Sequence, residues 1–535
     1  MPTKKSSPKK ARKSPGKSKS RSRSRSASRS RKPTSRSRSR SASRRSVKTV
    51  TLEERSVKKL GRPLKVNPSP TRVTVVKDVK TVQEEKVGPT RASQRIIEKT
   101  YQVTKNTVAE KGDDTKRVKV VETTNEGGLG YAGMIMVIIM LFITYLLAFS
   151  CTKESCHVFK IPKIPRDWKA YLNLEVAACF LAFYALITVL ALIPVGSLVQ
   201  GPPLRDGRRL TYRCNAWVTL LAFAALFGYV MTQTRFPFNM LYVHTHLLQF
   251  ATTSAIFSIL LSLALFVMGR HAPMSERSPA SDGTFWNDFC MGRVLHPRIG
   301  DLDVKHILFR SAFMAWITID WLYLLHGFKK HHTVEPTMAL VVLCHTLYPL
   351  FCLKNEATWF SSNDFMKEGA GFMFCWASAS FTPFICSLQT RFLHLYPKEG
   401  VSNPYILAAL FVFNAFGLVF FIGSNWQKAE FRRNPYNPEL AHLSSIPTAT
   451  GRRLLCSGWW GIVRRPNYLG DLVMALAWSL ACGVSYFVPY LYPLYLVILL
   501  TGRVISDEKS CQQRYGDAWN KYTEVVRYRF IPYVF

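Results

Sequence analysis

The sequence predicts an all-α, multi-pass membrane protein of about ten transmembrane helices, preceded by a disordered basic tail. Of its 535 residues, 48% are hydrophobic and 13% are aromatic, yet the formal net charge is +39. Residues 1–126 contain 37 basic and 11 acidic residues, a net of +26, and long apolar runs recur from residue 130 onward. This division excludes a single soluble domain and indicates one part suited to water and polyanions and another suited to hydrocarbon.

The tail carries an Arg-Ser repeat, in which RSRSRSASRS at 21–30 is nearly repeated by RSRSRSASRR at 36–45. A segment with so little apolar surface is expected to be disordered on its own. Its arginines can contact phosphates, and its serines are targets for Arg-Ser-directed kinases. Each phosphoserine adds about −1.5 to −2 charges, so phosphorylation would act as a charge switch.

We expect this polycation to bind DNA or nucleosomes, because neutralising phosphates releases counterions. Two alternatives stay open: an acidic protein surface as the partner, and a solvated tail or nuclear-import signal without one. Gly61, Arg62 and Pro63 have the composition of a minor-groove hook, but a plain linker is the preferred interpretation. For residues 71–126 the sequence predicts no particular secondary structure.

The body contains eight apolar runs that approach or exceed the ~20 residues needed to cross ~30 Å of hydrocarbon. They are residues 131–150, 173–195, 213–233, 248–269, 306–328, 337–353, 369–393 and 403–425. The stretch 468–502 is too long for one helix and holds Gly483, Pro489 and Pro493, which predict two short helices folded back on each other. Ten spans result.

An even number of spans places the polar loop 426–467 and the end 503–535 on the same side as the tail. No apolar leader precedes residue 130, so we expect that side to be cytosolic or nucleoplasmic. The positive-inside rule supports this orientation, although the first loop of the body is itself basic. The basic residues of that loop are Lys153, Lys160, Lys163, Arg166 and Lys169.

The loop 426–467 and the end 503–535 alternate basic with aromatic side chains. Lys428 and Arg432 are one helical turn apart, as are Arg503 and Asp507. These residues could hold the phosphates of a nucleotide while a ring stacks on its base, although no Gly-rich nucleotide fingerprint is present. The alternative is a basic and aromatic belt at the lipid headgroups. The candidate rings are Trp459, Trp460, Tyr468, Tyr515 and Tyr522.

The twelve cysteines are spaced singly, without a CxxC pair. This spacing predicts that most of them are small apolar fillers and that they form no metal site.

Three longer motifs carry a resemblance to a known family. Blocks of the sterol reductase family resemble GWWGIVRRPNYLGDLVMALAWSL at 458–480, DEKSCQQRYGDAWNKY at 507–522 and DFCMGRVLHPRIGDLDVKH at 288–306. That family holds delta-14 sterol reductases, 7-dehydrocholesterol reductase and the lamin B receptor. The resemblance divides the chain into the tail 1–126, first transmembrane helices over 127–200, and a sterol reductase-like domain over 201–535 with a C-terminal NADPH-binding region.

The resemblance implies a ten-span fold in the endoplasmic reticulum membrane and the inner nuclear membrane, with sterol entering from the lipid and NADPH from the tail side. Its cofactor-contacting positions are matched throughout, apart from Arg465, where the family has His. The matched residues are Lys428, Arg432, Leu455, Trp460, Asn467, Tyr468, Arg503, Asp507, Tyr515 and Tyr522.

The sterol-facing half departs from the family over residues 361–389. Asp364 and Glu368 are acids, but Ser378 stands where the family has Asp and Cys386 where it has Tyr. Phe381 also replaces Trp, while Val294 and His296 replace Glu and Asn in the 288–306 motif. The family reaction protonates a ring double bond and delivers hydride to the resulting carbocation. A serine supplies no ionisable proton and a cysteine is a weak donor, so we expect NADPH binding without efficient reduction.

Two functions follow. In the first, the Arg-Ser tail tethers chromatin or lamina and the body anchors the tail in the membrane. This arrangement resembles the receptor branch of the family. We expect no Tudor domain, because the repeat starts within twenty residues of Met1. In the second, the protein is an active delta-14 sterol reductase of sterol biosynthesis.

Overall fold

The computed structural model describes residues 130–160, 163–232 and 239–535. The predictions for the tail, residues 1–126, therefore lie outside the described residues. The all-α prediction for the body is confirmed, since the described elements are mainly helices with three two-stranded antiparallel hairpins between them.

The α-helices of five or more residues among the described residues are labelled here in chain order. They are α1 Gly130–Phe149, α2 Leu174–Ala191, α3 Ala216–Thr232, α4 Leu247–Met268, α5 Phe285–Met291, α6 Val304–His331, α7 Pro336–Lys354, α8 Phe372–Trp376, α9 Thr382–Cys386, α10 Leu388–Leu395, α11 Pro404–Arg433, α12 Pro466–Ala481, α13 Leu491–Tyr515 and α14 Asp517–Val525. The hairpins pair β1 Ser197–Pro203 with β2 Arg209–Cys214, β3 Arg298–Ile299 with β4 Leu302–Asp303, and β5 Ser445–Pro447 with β6 Arg453–Leu455.

Seven helical segments of the described chain are long and apolar enough to cross a membrane. They are Tyr131–Phe149, Trp168–Ala191, Leu247–His271, Val304–His331, Pro336–Lys354, Pro404–Arg433 and Val488–Tyr515. This confirms the multi-pass prediction. The other three predicted spans correspond to α3, with 17 residues, to α12, with 16 residues, and to the interrupted series α8 to α10.

The predicted span 369–393 is helical only in pieces. A π-helical turn at Ala377–Phe381 separates α8 from α9, and Ser387 separates α9 from α10. Pro383 lies in the first turn of α9, where its missing N–H is tolerated. The π-helical turn contains Ser378, and Cys386 is the last residue of α9. Both predicted sterol-side residues therefore lie at irregular points of this segment.

Two predicted boundaries are wrong. Helix α11 does not end at residue 425 but continues to Arg433, so Lys428 and Arg432 belong to its last turns and not to a loop. The second helix of 468–502 is not short, because α13 continues to Tyr515 and ends at Gly516, whose φ of +49° breaks the helix. In both cases polar residues extend a helix beyond its apolar part.

Two close backbone approaches position the segments that carry the candidate site. A Cβ on Gly292, where φ is +88°, would lie 2.5 Å from the backbone of Ala370 and of Gly371, so loop 369–371 rests directly on the end of α5. A Cβ on Gly470 would lie 2.7 Å from the carbonyl oxygen of Gly417, so α12 crosses α11 with little between them. The first turns of α12 are thereby held against the middle of α11.

Cys151 and Cys156 form a disulfide in the loop after α1, so this pair is an exception to the prediction that most cysteines are apolar fillers. Arg391 of α10 is buried beside this loop and donates hydrogen bonds of 2.8 Å to the carbonyl oxygens of Leu147 and Ala148. The guanidinium thus satisfies carbonyls at the end of α1 that have no partner within the helix.

Candidate active site

The predicted cofactor residues meet where the end of α11, the start of α12, α13 and α14 come together. The Lys428 ammonium lies 4.6 Å from the centre of the Trp460 ring, and the Trp460 indole N–H donates to the carbonyl oxygen of Ser424 at 2.9 Å. The lysine is thus held over an aromatic face. Leu455 packs with Trp460 and Phe431 in a small apolar cluster beneath it.

Asp507 of α13 links this region to the loop before α8. Its carboxylate accepts hydrogen bonds from Lys367 Nζ at 2.9 Å, from Arg465 Nη2 at 3.2 Å and from Asn363 Nδ2 at 3.3 Å. Arg465, the residue that departs from the family pattern, is therefore part of the cluster. Lys367 and Asn363 were not predicted as site residues.

Positive charge exceeds negative charge around Asp507. Lys428, Arg432 and Arg465 all lie within electrostatic range of one another, and the Asp507 carboxylate is within range of Lys428 and Arg465. Tyr468, Tyr515 and Tyr522 interact electrostatically with this group, so the predicted rings border it. Burial raises the pKa of Tyr522 to about 12, which keeps its phenol protonated. Such a surround suits a polyanionic ligand.

Asn467 contributes an unpaired acceptor. Its Oδ1 is buried and has no hydrogen-bond partner among the described residues. A buried amide oxygen without a donor costs free energy, so it fits a site whose ligand brings N–H or O–H groups. The excess of cations and this open acceptor fit a nucleotide such as NADPH, which carries phosphates, ribose hydroxyls and an amide.

A second ion pair connects the cofactor region to the two predicted acids. Arg503 Nη2 lies 2.5 Å from Asp364 Oδ1 and 4.0 Å from Glu368 Oε1. Burial and the neighbouring Asp364 carboxylate raise the pKa of Glu368, against the opposing effect of Arg503. Lys305, a fully buried residue that sequence reasoning missed, donates to the Glu368 carbonyl oxygen at 2.5 Å and fixes this loop from α6.

The two remaining predicted catalytic residues are buried deeper in the helical body. Ser378 and Cys386 are both 4% exposed. Near them, Phe381 stacks on Trp376 at 4.8 Å and meets the ring of Tyr495 edge-on at 4.5 Å. The predicted catalytic set is thus divided between the Arg503 cluster and the interrupted segment α8 to α10.

Tyr495 of α13 joins the two groups and was missed by sequence analysis. It touches Phe381 and lies within electrostatic range of Cys386 on one side and of Asp364 and Arg503 on the other. In the sequence it is one aromatic residue among many in 468–502. Its position two helical turns before Arg503 could have indicated a shared helix face.

Comparison with known proteins gives a consistent result. Residues 129–535 match the family described as the Ergosterol biosynthesis ERG4/ERG24 family. Delta(14)-sterol reductase LBR of Gallus gallus, the chicken lamin B receptor, is 36% identical over 407 residues, which are 75% of this chain and 63% of the chicken protein. Delta(14)-sterol reductase TM7SF2 of Mus musculus is 39% identical over 348 residues, 65% of this chain and 82% of the mouse protein. Delta(14)-sterol reductase erg24 of Schizosaccharomyces pombe is 32% identical over 394 residues, 72% of this chain and 91% of the yeast protein.

Proposed function

Because this chain belongs to the ERG4/ERG24 family of sterol reductases, we propose that its body binds NADPH in the membrane of the endoplasmic reticulum and the inner nuclear membrane, and that its Arg-Ser tail tethers chromatin or lamina. The observation that carries the cofactor assignment is the mutually close group of Lys428, Arg432 and Arg465, in which the Asp507 carboxylate is within range of Lys428 and bonded to Arg465. A cation excess of this kind is stabilised when phosphates enter it.

Each part of the cluster has a separate task toward the cofactor. Lys428 and Arg432 hold phosphates. The Trp460 ring face orients the Lys428 side chain that lies over it. The Asn467 amide oxygen accepts a hydrogen bond from the cofactor. Arg503 holds Asp364 and Glu368 toward α13. When bound, NADPH would supply a hydride equivalent to a carbocation in the apolar part of the body.

The tether rests on the charge of the tail and on the orientation of the body. Residues 1–126 carry a net charge of +26 and lie on the same side as the cofactor cluster if ten spans are crossed. The Cys151–Cys156 disulfide follows α1 at the opposite end of the body, and disulfides form in oxidising compartments such as the lumen. This supports a nucleoplasmic or cytosolic tail despite the basic first loop.

The cofactor assignment is tested by NADPH binding to the full-length protein in detergent or nanodiscs. Arg432→Ala should weaken binding at least ten-fold, because a phosphate loses a charge-assisted partner. Arg433→Ala is the matched control, since Arg433 lies on the same helix end but is solvent-exposed and pairs, within the described part of the chain, with Glu430 alone at 3.2 Å. Equal affinities for the two variants, or no binding by the wild type, would support a headgroup belt instead.

The tether is tested by imaging the full-length protein and a variant without residues 1–126. If the tail retains the protein, the variant should spread from the nuclear rim through the endoplasmic reticulum. Unchanged rim fluorescence would mean that the body itself is retained.

A second function, delta-14 sterol reduction, is supported by the relatives named Delta(14)-sterol reductase in mouse and yeast. Tyr495 favours it too, because a phenol lies between the cofactor cluster and the interrupted helix segment. Complementation of a sterol-reductase-deficient cell separates the two functions: full rescue by the unmodified protein indicates an enzyme, and little or no rescue indicates a tether.

A further inference from the structure

The β5–β6 hairpin lies beside the cofactor cluster, and Leu455 is its one residue among the matched cofactor positions. Leu455 packs with Phe431 and Trp460, which holds the hairpin against the end of α11. The preceding residue, Leu454, packs on the apolar cluster of α14 that contains Trp519. The hairpin is therefore fixed between the end of α11 and α14.

The turn of this hairpin has a well-defined backbone. The Thr448 N–H donates to the Arg452 carbonyl oxygen at 2.9 Å, and the Thr448 hydroxyl donates to the same oxygen at 2.7 Å. Gly451, with a φ of +76°, supplies the left-handed conformation that the turn needs. Because its backbone is already ordered, Arg452 loses less conformational entropy when its side chain binds a ligand.

Arg452 adds a cation to the edge of the cluster. Its side chain is solvent-exposed, and its guanidinium lies within electrostatic range of Arg432. Within the described part of the chain, no carboxylate forms an ion pair with either guanidinium. Two neighbouring cations without a counter-ion repel each other, so a dianion that contacts both would be stabilised.

Helix α13 gives the direction in which a dinucleotide would lie. Arg503, Asp507 and Tyr515 are separated by multiples of four residues and share a helix face, which extends about 18 Å from Arg503 to Tyr515. Tyr495, before Arg503, contacts the interrupted segment α8 to α10, where a hydride would be delivered. The nicotinamide end of the cofactor therefore belongs near Arg503, and the adenosine end belongs near Tyr515.

The adenosine end is the part in which NADPH differs from NADH. NADPH carries a 2′-phosphate there, and a phosphate monoester has about −1.5 to −2 charges at pH 7. Tyr515 and Arg452 both lie within electrostatic range of Arg432, so two guanidiniums are available at this end. Arginine is well suited to a phosphate group, because its planar fork donates two parallel hydrogen bonds.

We propose that Arg452, together with Arg432, binds the 2′-phosphate and makes the body select NADPH over NADH. This inference rests on the proposed cofactor site. It adds to that site a specificity-determining residue that lies outside the positions matched by the family resemblance.

The test compares binding isotherms for NADPH and NADH on the full-length protein in nanodiscs. The wild type should bind NADPH about ten-fold or more tightly than NADH, because a dianion gains charge-assisted bonds. Arg452→Ala should weaken NADPH binding roughly five-fold or more and should change NADH binding less than about two-fold, since NADH lacks the group that is contacted. Arg452→Lys should fall between the wild type and Arg452→Ala, because it keeps the charge without the fork.

Arg453→Ala is the matched control. It removes the same charge from the adjacent residue, but Arg453 Nε donates to Ser445 Oγ at 2.8 Å across the hairpin. The ratio of NADPH to NADH affinity should therefore stay as in the wild type. A competition experiment gives a second readout: adenosine 2′,5′-bisphosphate should displace NADPH better than AMP from the wild type, and no better than AMP from Arg452→Ala.

The outcomes separate this inference from the proposed function. A wild type that binds neither dinucleotide contradicts the cofactor site itself, and the inference with it. A wild type that binds NADPH and NADH equally well overturns the inference alone. So does an Arg452→Ala variant that keeps the wild-type preference, or one that loses affinity for both dinucleotides equally, because the contact would then be to a group that they share.

Discussion

Arg503 and Asp364 are 139 residues apart in the sequence but form an ion pair of 2.5 Å between α13 and the loop before α8. Arg503 is one of the predicted cofactor residues, and Asp364 is one of the predicted catalytic acids. The pair therefore joins the part of the body that matches the family pattern to the part that departs from it. A change at either end is expected to be felt at the other.

Arg503→Ala should weaken NADPH binding by about 1.5 to 3 kcal/mol, roughly 10- to 150-fold, if the guanidinium makes a charge-assisted phosphate contact. The measurement is a binding isotherm on the full-length protein. Arg503→Lys is the informative companion, because it keeps the charge and loses the two-pronged geometry, and should fall between the wild type and Arg503→Ala. An unchanged isotherm for Arg503→Ala would mean that this arginine serves Asp364 alone.

The tail should bind DNA or nucleosomes with steep salt dependence, because each neutralised phosphate releases a counterion. The full-length protein in nanodiscs should lose at least a hundred-fold in affinity between 50 and 200 mM salt. Phosphorylation by an Arg-Ser-directed kinase should have a similar effect at fixed salt, since it cancels local charge. An isotherm that responds to neither salt nor phosphorylation would exclude the polyelectrolyte mechanism.

Hydropathy predicted where most helices lie but not where they end. Apolar runs located α1, α2, α4, α6 and α7 within a few residues, because crossing hydrocarbon requires length and apolarity alone. The ends of α11 and α13 were missed, because helices continue through residues such as Lys428 and Arg503 when those side chains find partners beyond the lipid. Hydropathy also does not register a π-helical turn such as Ala377–Phe381, which changes hydrogen bonding and not composition.

The candidate site was predictable only where residue types repeat a known motif. The family resemblance named Arg503 and Asp507, but the Asp507 partners Lys367 and Asn363 come from a distant loop that no short pattern connects to it. The contact of 2.9 Å between Asp320 Oδ2 of α6 and His345 Nδ1 of α7 was missed for the same reason, since each residue alone interrupts an otherwise apolar helix. Which residues pair over long range depends on how α6, α7 and α10 pack. That packing leaves no periodic pattern in a single sequence.

Gly292→Ala should lower the free energy of unfolding by about 2 to 5 kcal/mol, because it combines left-handed backbone strain with a Cβ placed 2.5 Å from loop 369–371. Thermal unfolding of the detergent-solubilised protein measures the loss. Gly300→Ala is the matched control: its φ is +61°, but no atom lies within 4 Å of the new Cβ, so the cost should be about 1 to 2 kcal/mol. Equal losses for both variants would show that loop 369–371 moves aside freely.

The combined change Ser378→Asp, Phe381→Trp and Cys386→Tyr should raise delta-14 reductase activity at least ten-fold above the slow wild-type rate. An acid and an aromatic wall act together on a carbocation, so each single change should have little effect and the triple change a large one. The three positions are each 4% exposed, so the larger side chains should lower the free energy of unfolding by about 1 to 3 kcal/mol. We expect the π-helical turn at Ala377–Phe381 to reduce this loss.

The matched control for this variant replaces Ser378→Asp with Ser380→Asp and keeps the other two changes. Ser380 lies in the same π-helical turn, but its hydroxyl pairs with Thr144 of α1 at 3.3 Å, so an acid there faces a different helix from Tyr495 and should not restore turnover. Product analysis of a sterol-reductase-deficient cell, with NADPH binding as a check on folding, distinguishes the variants. Full rescue by the wild type would contradict the expectation of slow turnover.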